Sequence, residues 1–428
     1  MAALQLFILC VGLNMVLSSS QQIITTLPGF DGDLPFKLET GYIGVGQNDD
    51  VQLFYYFIES ERSPEDDPLV LWLTGGPGCS GFSGLVFEIG PLSFDYEKSK
   101  VNLPKFLLNP YSWTKVANVI FLDAPVGTGF SYANTWQGYI MNDTLSAAQN
   151  YYFLRKWLIA HPSFLANPLY IGGDSYSGII VPMIVQHVSD GIDVGHRPRM
   201  NLKGYLLGNP LTDSTENQNS VPHFAYLNAL ISHEIYELQE MKMRKYESQC
   251  SSLYSALRVN HAQIYEPSCR GPIISPRRKL FNWNSSVLEE DSLDFLSSPT
   301  QPAASGTWCR FHNYVYSYIW ANDKTVQSAI GVREGTVKYW VRCNQSLSYT
   351  KDVSSSLAYH RNLIKKGYQV LIYSGDVDMK VPYVATEAWI KSLSLTIETG
   401  WQPWFVEGQV AGEQVIQLQS TNLRSVLQ

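Results

Sequence analysis

Ser175 lies in the segment Tyr-Ile-Gly-Gly-Asp-Ser-Tyr-Ser-Gly at 170–178, where an apolar stretch runs into a glycine-rich turn. A serine on a sharp turn between a strand and a helix is typical of nucleophilic acyl transfer, because the turn exposes the hydroxyl. Most isolated matches to this pattern carry no chemistry, but here strand and helix patterns flank it. Gly173 and Ser177 stand where bulk would clash, and Ser177 departs from the usual Gly-x-Ser-x-Gly pattern. The segment therefore predicts a serine nucleophile.

A second glycine-rich turn is a candidate source of hydrogen-bond donors for the reaction. The sequence Trp-Leu-Thr-Gly-Gly-Pro-Gly-Cys-Ser-Gly at 72–81 overlaps the end of a short apolar stretch at 69–73. The backbone N–H of Gly76, with that of Tyr176, would form a two-donor oxyanion hole. The alternative is a phosphate-binding loop, but no Lys-Ser/Thr pair follows to bind a phosphate.

The remaining components are an orienting acid and a base. Asp378 follows a predicted strand at 369–373 and is the predicted acid. Asp376 is the alternative acid, and if Asp378 is the acid, Asp376 is expected to be a turn residue. In the expected chain order the base histidine comes after the acid. All eight histidines precede the acid: His161, His187, His196, His223, His233, His261, His312 and His360. A base must lie within about 3 Å of the serine oxygen, so we expect no upstream histidine to replace the missing one.

The bulk properties bound the scaffold that must position these residues. A chain of 428 residues with 45% hydrophobic residues suits one large domain or two ordinary ones with a sizeable core. The net charge of −7 argues against nucleic acid or an acidic membrane as the main partner. The cysteine spacing does not fit a zinc site, and we expect no metal or other cofactor.

The first twenty residues predict a secretory signal peptide. Residues 1–20 carry no charge, 4–17 are mostly apolar, and the serines at 18–20 are small enough for cleavage. A membrane anchor is the weaker alternative, because a span needs about 20 apolar residues. No other segment is long enough to cross a bilayer, so we expect no membrane partner. After the signal peptide we expect a single domain at 21–428.

Strands alternate with helical stretches over most of the chain. Strands are predicted at 51–58, 69–73, 116–122, 169–172, 202–207, 369–373 and near 404–406, with a helix at 145–161. This alternation predicts a mostly parallel sheet covered on both faces. A helical insertion is expected at about 215–310, with a helix at 234–257 and a polar stretch at 271–306. A structureless stretch of that length is typical of a lid, a linker or a processed segment.

Sequons and cysteines agree with entry to the secretory pathway. Asn-x-Ser/Thr sequons occur at Asn142, Asn284 and Asn344 and are candidate glycosylation sites. Five cysteines follow the signal peptide, and an odd number in an oxidising compartment leaves one thiol unpaired or shared with another chain. We expect a secreted or vacuolar protein of unknown oligomeric state.

Four motifs together resemble the serine carboxypeptidase family. They are Gly-Gly-Pro-Gly-Cys-Ser at 75–80, Asn-Val-Ile-Phe-Leu-Asp-Ala-Pro-Val-Gly-Thr-Gly-Phe-Ser at 118–131, Gly-Asp-Ser-Tyr-Ser-Gly at 173–178 and Ser-Gly-Asp-Val-Asp at 374–378. The resemblance implies an α/β-hydrolase fold with a helical insertion, N-glycosylation, disulfides and no metal. It also implies that Cys79 pairs with Cys343 and Cys269 with Cys309, which leaves Cys250 without a mate.

Two positions bear on the substrate that the resemblance implies. Carboxypeptidases of the family carry Asn at the position of Thr74 and Glu at that of Asp174, where they help to hold a peptide's terminal carboxylate; Gly75 and Glu88 lie in the same region. A threonine lacks the amide donor of Asn. Together with Thr-Trp-Cys-Arg at 307–310, these residues resemble the plant acyltransferase branch, which moves an acyl group from a 1-O-glucose ester to an alcohol. The alternative is a serine-type carboxypeptidase that acts on peptides.

The C-terminal tail departs from the family pattern. Relatives continue beyond the position of Gly412 with one more strand and a Gly-His-Thr turn whose histidine is the base. Here the residues at 413–428 have weak strand character and contain no histidine. We expect a truncated C-terminal strand, as in a truncated or alternatively spliced product. Without its base such an enzyme keeps roughly 10³–10⁴-fold rate enhancement over water, and a third hypothesis is an inactive isoform with a binding role.

Overall fold

The computed structural model describes residues 21–99, 103–246, 259–266, 313–418 and 423–427. The predicted signal peptide, the polar stretch at 271–306, Asn284, Cys250, Cys269 and Cys309 all lie outside these residues.

The strands follow one another along the chain with helices between them. Strands β1 to β16 are Gln22–Thr26, Asp33–Val45, Val51–Ile58, Leu69–Leu73, Leu92–Phe94, Phe106–Leu108, Asn118–Leu122, Tyr132–Ala133, Met141–Asn142, Leu169–Asp174, Leu202–Gly208, Tyr349–Thr350, Gln369–Ser374, Thr396–Val406, Gln409–Leu418 and Leu423–Leu427. Helices α1 to α9 are Gly81–Ser83, Asp143–Ala160, Ser177–Asp193, Ser214–Leu227, His233–Tyr246, Val315–Asn322, Lys324–Ala329, Leu357–Lys365 and Tyr383–Ser392. A π-helical turn, Gly84–Glu88, continues α1, and 3₁₀ turns occupy Gln47–Asp49, Trp113–Lys115, Gln137–Tyr139 and Pro162–Leu165.

Most of the strands form one 12-stranded sheet in the described part of the chain. Its order is β1-β2-β3-β7-β4-β10-β11-β13-β16-β15-β14, with β8 beside β3. The central strands from β7 to β16 are parallel, and the strands outside them are antiparallel. Two small two-stranded sheets lie outside this sheet, one formed by β5 and β6 and the other by β9 and β12. The predicted α/β-hydrolase fold is confirmed.

Both faces of the central sheet are buried, as the strand β4 illustrates. Leu71 packs into the cluster formed with α2, α3 and α8, whereas its neighbour Trp72 packs into the cluster on the opposite face. Side chains of a strand alternate between faces, so a strand that is covered on both sides must be apolar throughout. This requirement explains why Leu69–Leu73 is a continuous apolar stretch rather than an alternating one.

The strands at the end of the chain differ from the sequence-based expectation. The short strand expected near 404–406 is part of the longer β14, Thr396–Val406. The tail at 413–428 was expected to have weak strand character and to leave the sheet one strand short. Instead, it contributes residues to β15 and forms β16, which pairs in parallel with β13. The open backbone of β13 offers N–H and C=O groups, and pairing with them outweighs a weak local preference.

The helical part of the predicted insertion is present in α4 and α5. The first was not anticipated as a separate helix, and the second, His233–Tyr246, covers the first half of the helix expected at 234–257. Within the described residues, no helix combines the length and apolar character that a membrane crossing requires.

Candidate active site

The carboxyl ends of neighbouring parallel strands bring the predicted site residues to one edge of the sheet. Ser175 follows β10, the turn at 74–79 follows β4, and Asp378 lies in the loop after β13. Strand β10 pairs with β4 on one side and with β11 on the other, and β11 pairs with β13. Ligands of open parallel sheets bind outside this edge, so the topology supports a shared site.

Ser175 sits on a strained turn. Its φ of 54° lies in the left-handed region, which is uncommon for residues other than glycine. The turn is held by backbone bonds: the N–H of Ser175 donates to the carbonyl of Gly208 at 3.0 Å, and its carbonyl accepts from the N–H of Leu211 at 2.8 Å. Such strain persists only where the surroundings enforce it, and it is typical of nucleophile turns.

The residues that flank the serine are restricted in size. A Cβ on Gly173 would lie 2.5 Å from the carbonyl oxygen of Leu73, which is too close for any side chain. Ser177 is buried, and its hydroxyl donates to the same carbonyl at 3.1 Å. The departure from a glycine at this position therefore adds a hydrogen bond that joins the turn to β4.

The predicted oxyanion turn touches the nucleophile turn directly. A Cβ on Gly75 would lie 2.7 Å from the Cβ of Ser175 and 2.9 Å from the backbone nitrogen of Tyr176. Gly76, the next residue, is exposed and has a φ of 126°, a conformation that L side chains rarely adopt. Gly75 therefore permits a close approach between the turn that carries Gly76 and the backbone nitrogen of Tyr176, and the donor roles of Gly76 and Tyr176 stay a prediction.

Asp378 and Asp376 differ in their surroundings. Asp376 is exposed, whereas Asp378 is half-buried and accepts hydrogen bonds at Oδ1 from the N–H groups of Lys380 at 2.7 Å and Val381 at 3.4 Å. Burial raises the pKa of Asp378 to about 7. A held, partly desolvated carboxyl suits the role of an orienting acid better than an exposed turn residue does.

Glu88 and Asp174 form a pair of carboxyl groups beside the oxyanion turn. Trp72 Nε1 donates to Glu88 Oε2 at 2.8 Å, and Thr74 Oγ1 makes a longer contact of 3.5 Å with Oε1. The N–H of Gly75 donates to Asp174 Oδ1 at 3.0 Å. Desolvation, and then repulsion from Asp174, raises the pKa of Glu88, and desolvation also raises the pKa of Asp174.

The pair binds a proton more tightly than isolated carboxyls do, since two adjacent negative charges repel each other. The Glu88 side chain is exposed at the surface although protein atoms crowd its carboxyl group, so solvent screens part of this repulsion. The structure brings together all four residues that were expected to contact substrate: Thr74, Gly75, Glu88 and Asp174.

Arg342 and Tyr373 also belong to this part of the site and were missed from sequence. The positive charge of Arg342 offsets part of the rise in pKa that desolvation causes at both paired carboxyls, and its guanidinium lies 3.9 Å above the ring of Tyr314. Burial, with a further contribution from the charges of Asp174 and Glu88, raises the pKa of the Tyr373 phenol. The expected pairing of Cys343 was the available signal for Arg342, because it places position 342 beside the oxyanion turn.

The disulfide between Cys79 and Cys343 is confirmed, and it closes a sequence separation of 264 residues. It joins the end of the oxyanion turn to the segment that carries Arg342. The N–H of Ser80 also donates to the carbonyl of Arg342 at 2.8 Å, and the N–H of Asn344 donates to the carbonyl of Gly78 at 2.8 Å. The oxyanion turn is therefore anchored covalently and by backbone bonds.

Two of the predicted glycosylation sequons lie in the described residues. The side chain of Asn142 caps helix α2 by accepting from the N–H of Leu145 at 2.7 Å. The Asn344 amide donates to the carbonyl of Gly127 at 2.8 Å. Glycosylation at either position remains a prediction, and both side chains already have structural roles.

The rings of His360 and His161 contact side chains other than Ser175. The ring of His360 is fully buried, and its Nδ1 shares a hydrogen bond of 2.7 Å with the Tyr205 hydroxyl. The centre of the ring lies 4.8 Å from that of the Trp389 ring. Burial lowers the pKa of His360 to about 3. His161 Nε2 contacts Glu39 Oε1 at 2.8 Å.

His261 lies in the only described part of the insertion's second half, at 259–266. Its carbonyl accepts from the N–H groups of Met379 at 2.8 Å and Lys380 at 3.1 Å, so its backbone packs on the loop that carries Asp378. The expectation that no upstream histidine serves as base stays a prediction. Among the described residues, no group of three or more His, Cys, Asp or Glu side chains is arranged to hold a metal ion.

Comparison with known proteins places these motifs in a family. The family model for serine carboxypeptidase matches residues 28–425. The chain is 44% identical over 409 residues to serine carboxypeptidase-like 1 of Arabidopsis thaliana, covering 94% of this chain and 88% of that protein. It is 43% identical over 411 residues to serine carboxypeptidase-like 17 of the same plant, with 96% and 88% covered.

Among solved structures, the fold is similar to that of Kex1(delta)p, a prohormone-processing carboxypeptidase from Saccharomyces cerevisiae. The TM-score is 0.69 at 18% identity, with 92% of this chain and 86% of that chain covered. At this level of identity the likeness concerns the fold alone.

Proposed function

The chain belongs to the serine carboxypeptidase family, and from that premise we propose that it is an acyltransferase that works through an acyl-serine on Ser175. The proposed donor is a small-molecule 1-O-acyl glucose ester, and the proposed acceptor is an alcohol. The alternative within the same enzyme class is a carboxypeptidase that passes the acyl group of a peptide to water.

The proposed reaction has two halves. In the first, the Ser175 oxygen attacks the ester carbonyl, the bond to the glucose oxygen breaks, and the serine proton passes to a base and then to the departing sugar. In the second, the acceptor hydroxyl attacks the acyl-serine and the serine oxygen regains a proton. The N–H groups of Gly76 and Tyr176 would stabilise the oxyanion in both halves, and Asp378 would orient the base.

Thr74 is the observation that carries the choice of transfer over peptide release. Its hydroxyl faces Glu88 at 3.5 Å, and the neighbouring N–H of Gly75 is bound to Asp174. A threonine hydroxyl is one donor, whereas an Asn amide has two and can serve both the acid and a bound carboxylate. Thr74 therefore lacks the amide donor that would hydrogen-bond to a peptide's C-terminal carboxylate, and a neutral sugar ester needs no such donor.

The test compares acyl transfer with peptide release in the parent and in two variants at this position. We expect the parent to transfer a hydroxycinnamoyl group from its 1-O-glucose ester to an alcohol faster than it releases a residue from a blocked dipeptide. Thr74→Asn should raise peptide release relative to transfer, and Thr74→Ser, which keeps the hydroxyl, should not. A parent that prefers the dipeptide would overturn the transferase assignment.

A second candidate function is binding without turnover, as in an inactive relative that regulates an active one. It is favoured by the engagement of His360 and His161 with other residues. A fluorophosphonate that labels Ser175 as fast as it labels an ordinary serine hydrolase would rule this candidate out. For either candidate we propose a secreted or vacuolar location, from the sequons, the disulfide and the N-terminal sequence.

A further inference from the structure

Asn209 lies between the nucleophile turn, which carries Ser175, and the loop at 374–381, which carries Asp378. It follows β11, Leu202–Gly208, which lies between β10 and β13 in the sheet. The carboxyl end of β11 therefore lies between the ends of the two strands that lead to Ser175 and to the loop of Asp378. The rate of acyl transfer is sensitive to small displacements, so the distance between these two elements bears on the proposed reaction.

The backbone around Asn209 is tied to both neighbours. Its N–H donates to the carbonyl of Tyr373 at 2.8 Å, and the preceding Gly208 and the nearby Leu211 bind the backbone of Ser175. The φ of Asn209 is 37°, a left-handed value that asparagine tolerates better than most residues. The segment at 208–211 thus contacts β13 through the N–H of Asn209 and contacts the nucleophile turn through Gly208 and Leu211.

The side-chain amide of Asn209 extends these ties to both ends of the acid loop. Its Nδ2 is 3.2 Å from Ser374 Oγ and 3.4 Å from the carbonyl of Gly375 at the start of the loop, and 3.3 Å from the carbonyl of Val381 at its end. Its Oδ1 accepts from the N–H of Gly375 at 3.1 Å. One planar amide therefore bridges the two ends of the loop in which Asp378 is bound.

We infer that Asn209 is a positioning residue that sets the distance between Ser175 and Asp378 by clamping the loop at 374–381 against the end of β11. The carboxyl group of Asp378 accepts from the N–H of Val381, the residue whose carbonyl contacts the Asn209 amide. Loss of the clamp therefore reaches the acid through a single residue. The inference deepens the proposed function and rests on it for the role of Asp378.

Asn209→Gly is the informative variant, because glycine keeps the left-handed backbone and removes only the amide. Asn209→Asp is the second variant: it keeps the size and an acceptor for the N–H of Gly375, but it turns a carboxylate oxygen towards two carbonyls. Asn217→Ala is the matched control, because the Asn217 amide also donates to this loop, at the carbonyl of Lys380 and 3.0 Å, but from helix α4 outside the junction.

Two measurements on the full chain separate the inference from the proposed function. The first is hydrogen exchange of the Gly375 and Lys380 amides, which requires no activity. The second is the rate and pH profile of Ser175 acylation by an activated ester. In Asn209→Gly we expect faster exchange at both amides, and in Asn209→Asp faster exchange at the Lys380 amide. Both variants should show a roughly 10- to 100-fold lower kcat with little change in KM. The pH profile of acylation should also shift, and Asn217→Ala should resemble the parent.

Unchanged exchange at Gly375 and Lys380 in the Asn209 variants would overturn the inference. Faster exchange with parent-like kcat would also overturn it, because Asn209 would then stabilise the loop without affecting the reaction. If the parent itself is not acylated, the proposed function fails, and the exchange measurement alone then decides whether Asn209 clamps the loop.

Discussion

Gly75 offers the sharpest test of how the oxyanion turn and the nucleophile turn fit together. An added Cβ would lie 2.7 Å from the Cβ of Ser175, 2.8 Å from the carbonyl oxygen of Asp174 and 2.9 Å from the nitrogen of Tyr176. Ordinary van der Waals contact begins at 3.4 Å, so the two turns must separate by about 0.7 Å. All three contacts involve backbone or Cβ atoms, which cannot rotate away.

In Gly75→Ala we therefore expect the oxyanion donors to move away from the serine. A displacement of this size costs roughly 10- to 100-fold in the rate of acylation, and overpacking costs about 1–3 kcal/mol in the free energy of unfolding. The acylation rate is measured by labelling Ser175 with a fluorophosphonate, and the stability by denaturant unfolding. The second measurement holds even for a slow enzyme.

Gly400→Ala is the matched control. It makes the same change in β14, where an added Cβ meets nothing within 4 Å, and it should leave both quantities close to those of the parent. If Gly75→Ala is labelled as fast as the parent and is equally stable, the close approach of the two turns is not required, and the assignment of Gly76 as an oxyanion donor loses its basis.

Three further results are expected. Burial raises the pKa of Asp378 to about 7 from an unfolded value of about 4, so its contribution to stability is fully present below pH 4 and is lost as the pH rises to 7. In Asp378→Asn the free energy of unfolding should therefore depend less on pH over that range. An unchanged dependence would contradict the raised pKa. Replacing Cys79 and Cys343 by serine should lower stability by roughly 2–5 kcal/mol and slow the labelling of Ser175, whereas parent-like labelling would mean that the disulfide does not hold the oxyanion turn. Neither His261→Ala nor His360→Ala should change that labelling rate, and a large loss in one variant would identify the base.

Most of the sheet was predictable because its signals are local. A strand that is buried on both faces must be apolar throughout, and Leu69–Leu73 satisfies that rule without reference to any other part of the chain. The nucleophile turn also has a local signal in the glycine at 173 and the serine at 175, although its close contact with Leu73 comes from a distant part of the chain. The tail was misjudged because β16 depends on the open edge of β13 rather than on its own residues.

The amino-acid sequence by itself determined the chemistry: a serine on a strained turn, a glycine-rich turn that can approach it, and an acid at the end of a later strand. Only the tertiary structure decided what surrounds them. Arg342 acts on Glu88 and Asp174, and Asn209 bridges the acid loop, because folding brings together residues that are far apart in the chain. Charge interactions and side-chain hydrogen bonds depend on distance in space, and no sequence pattern records that distance.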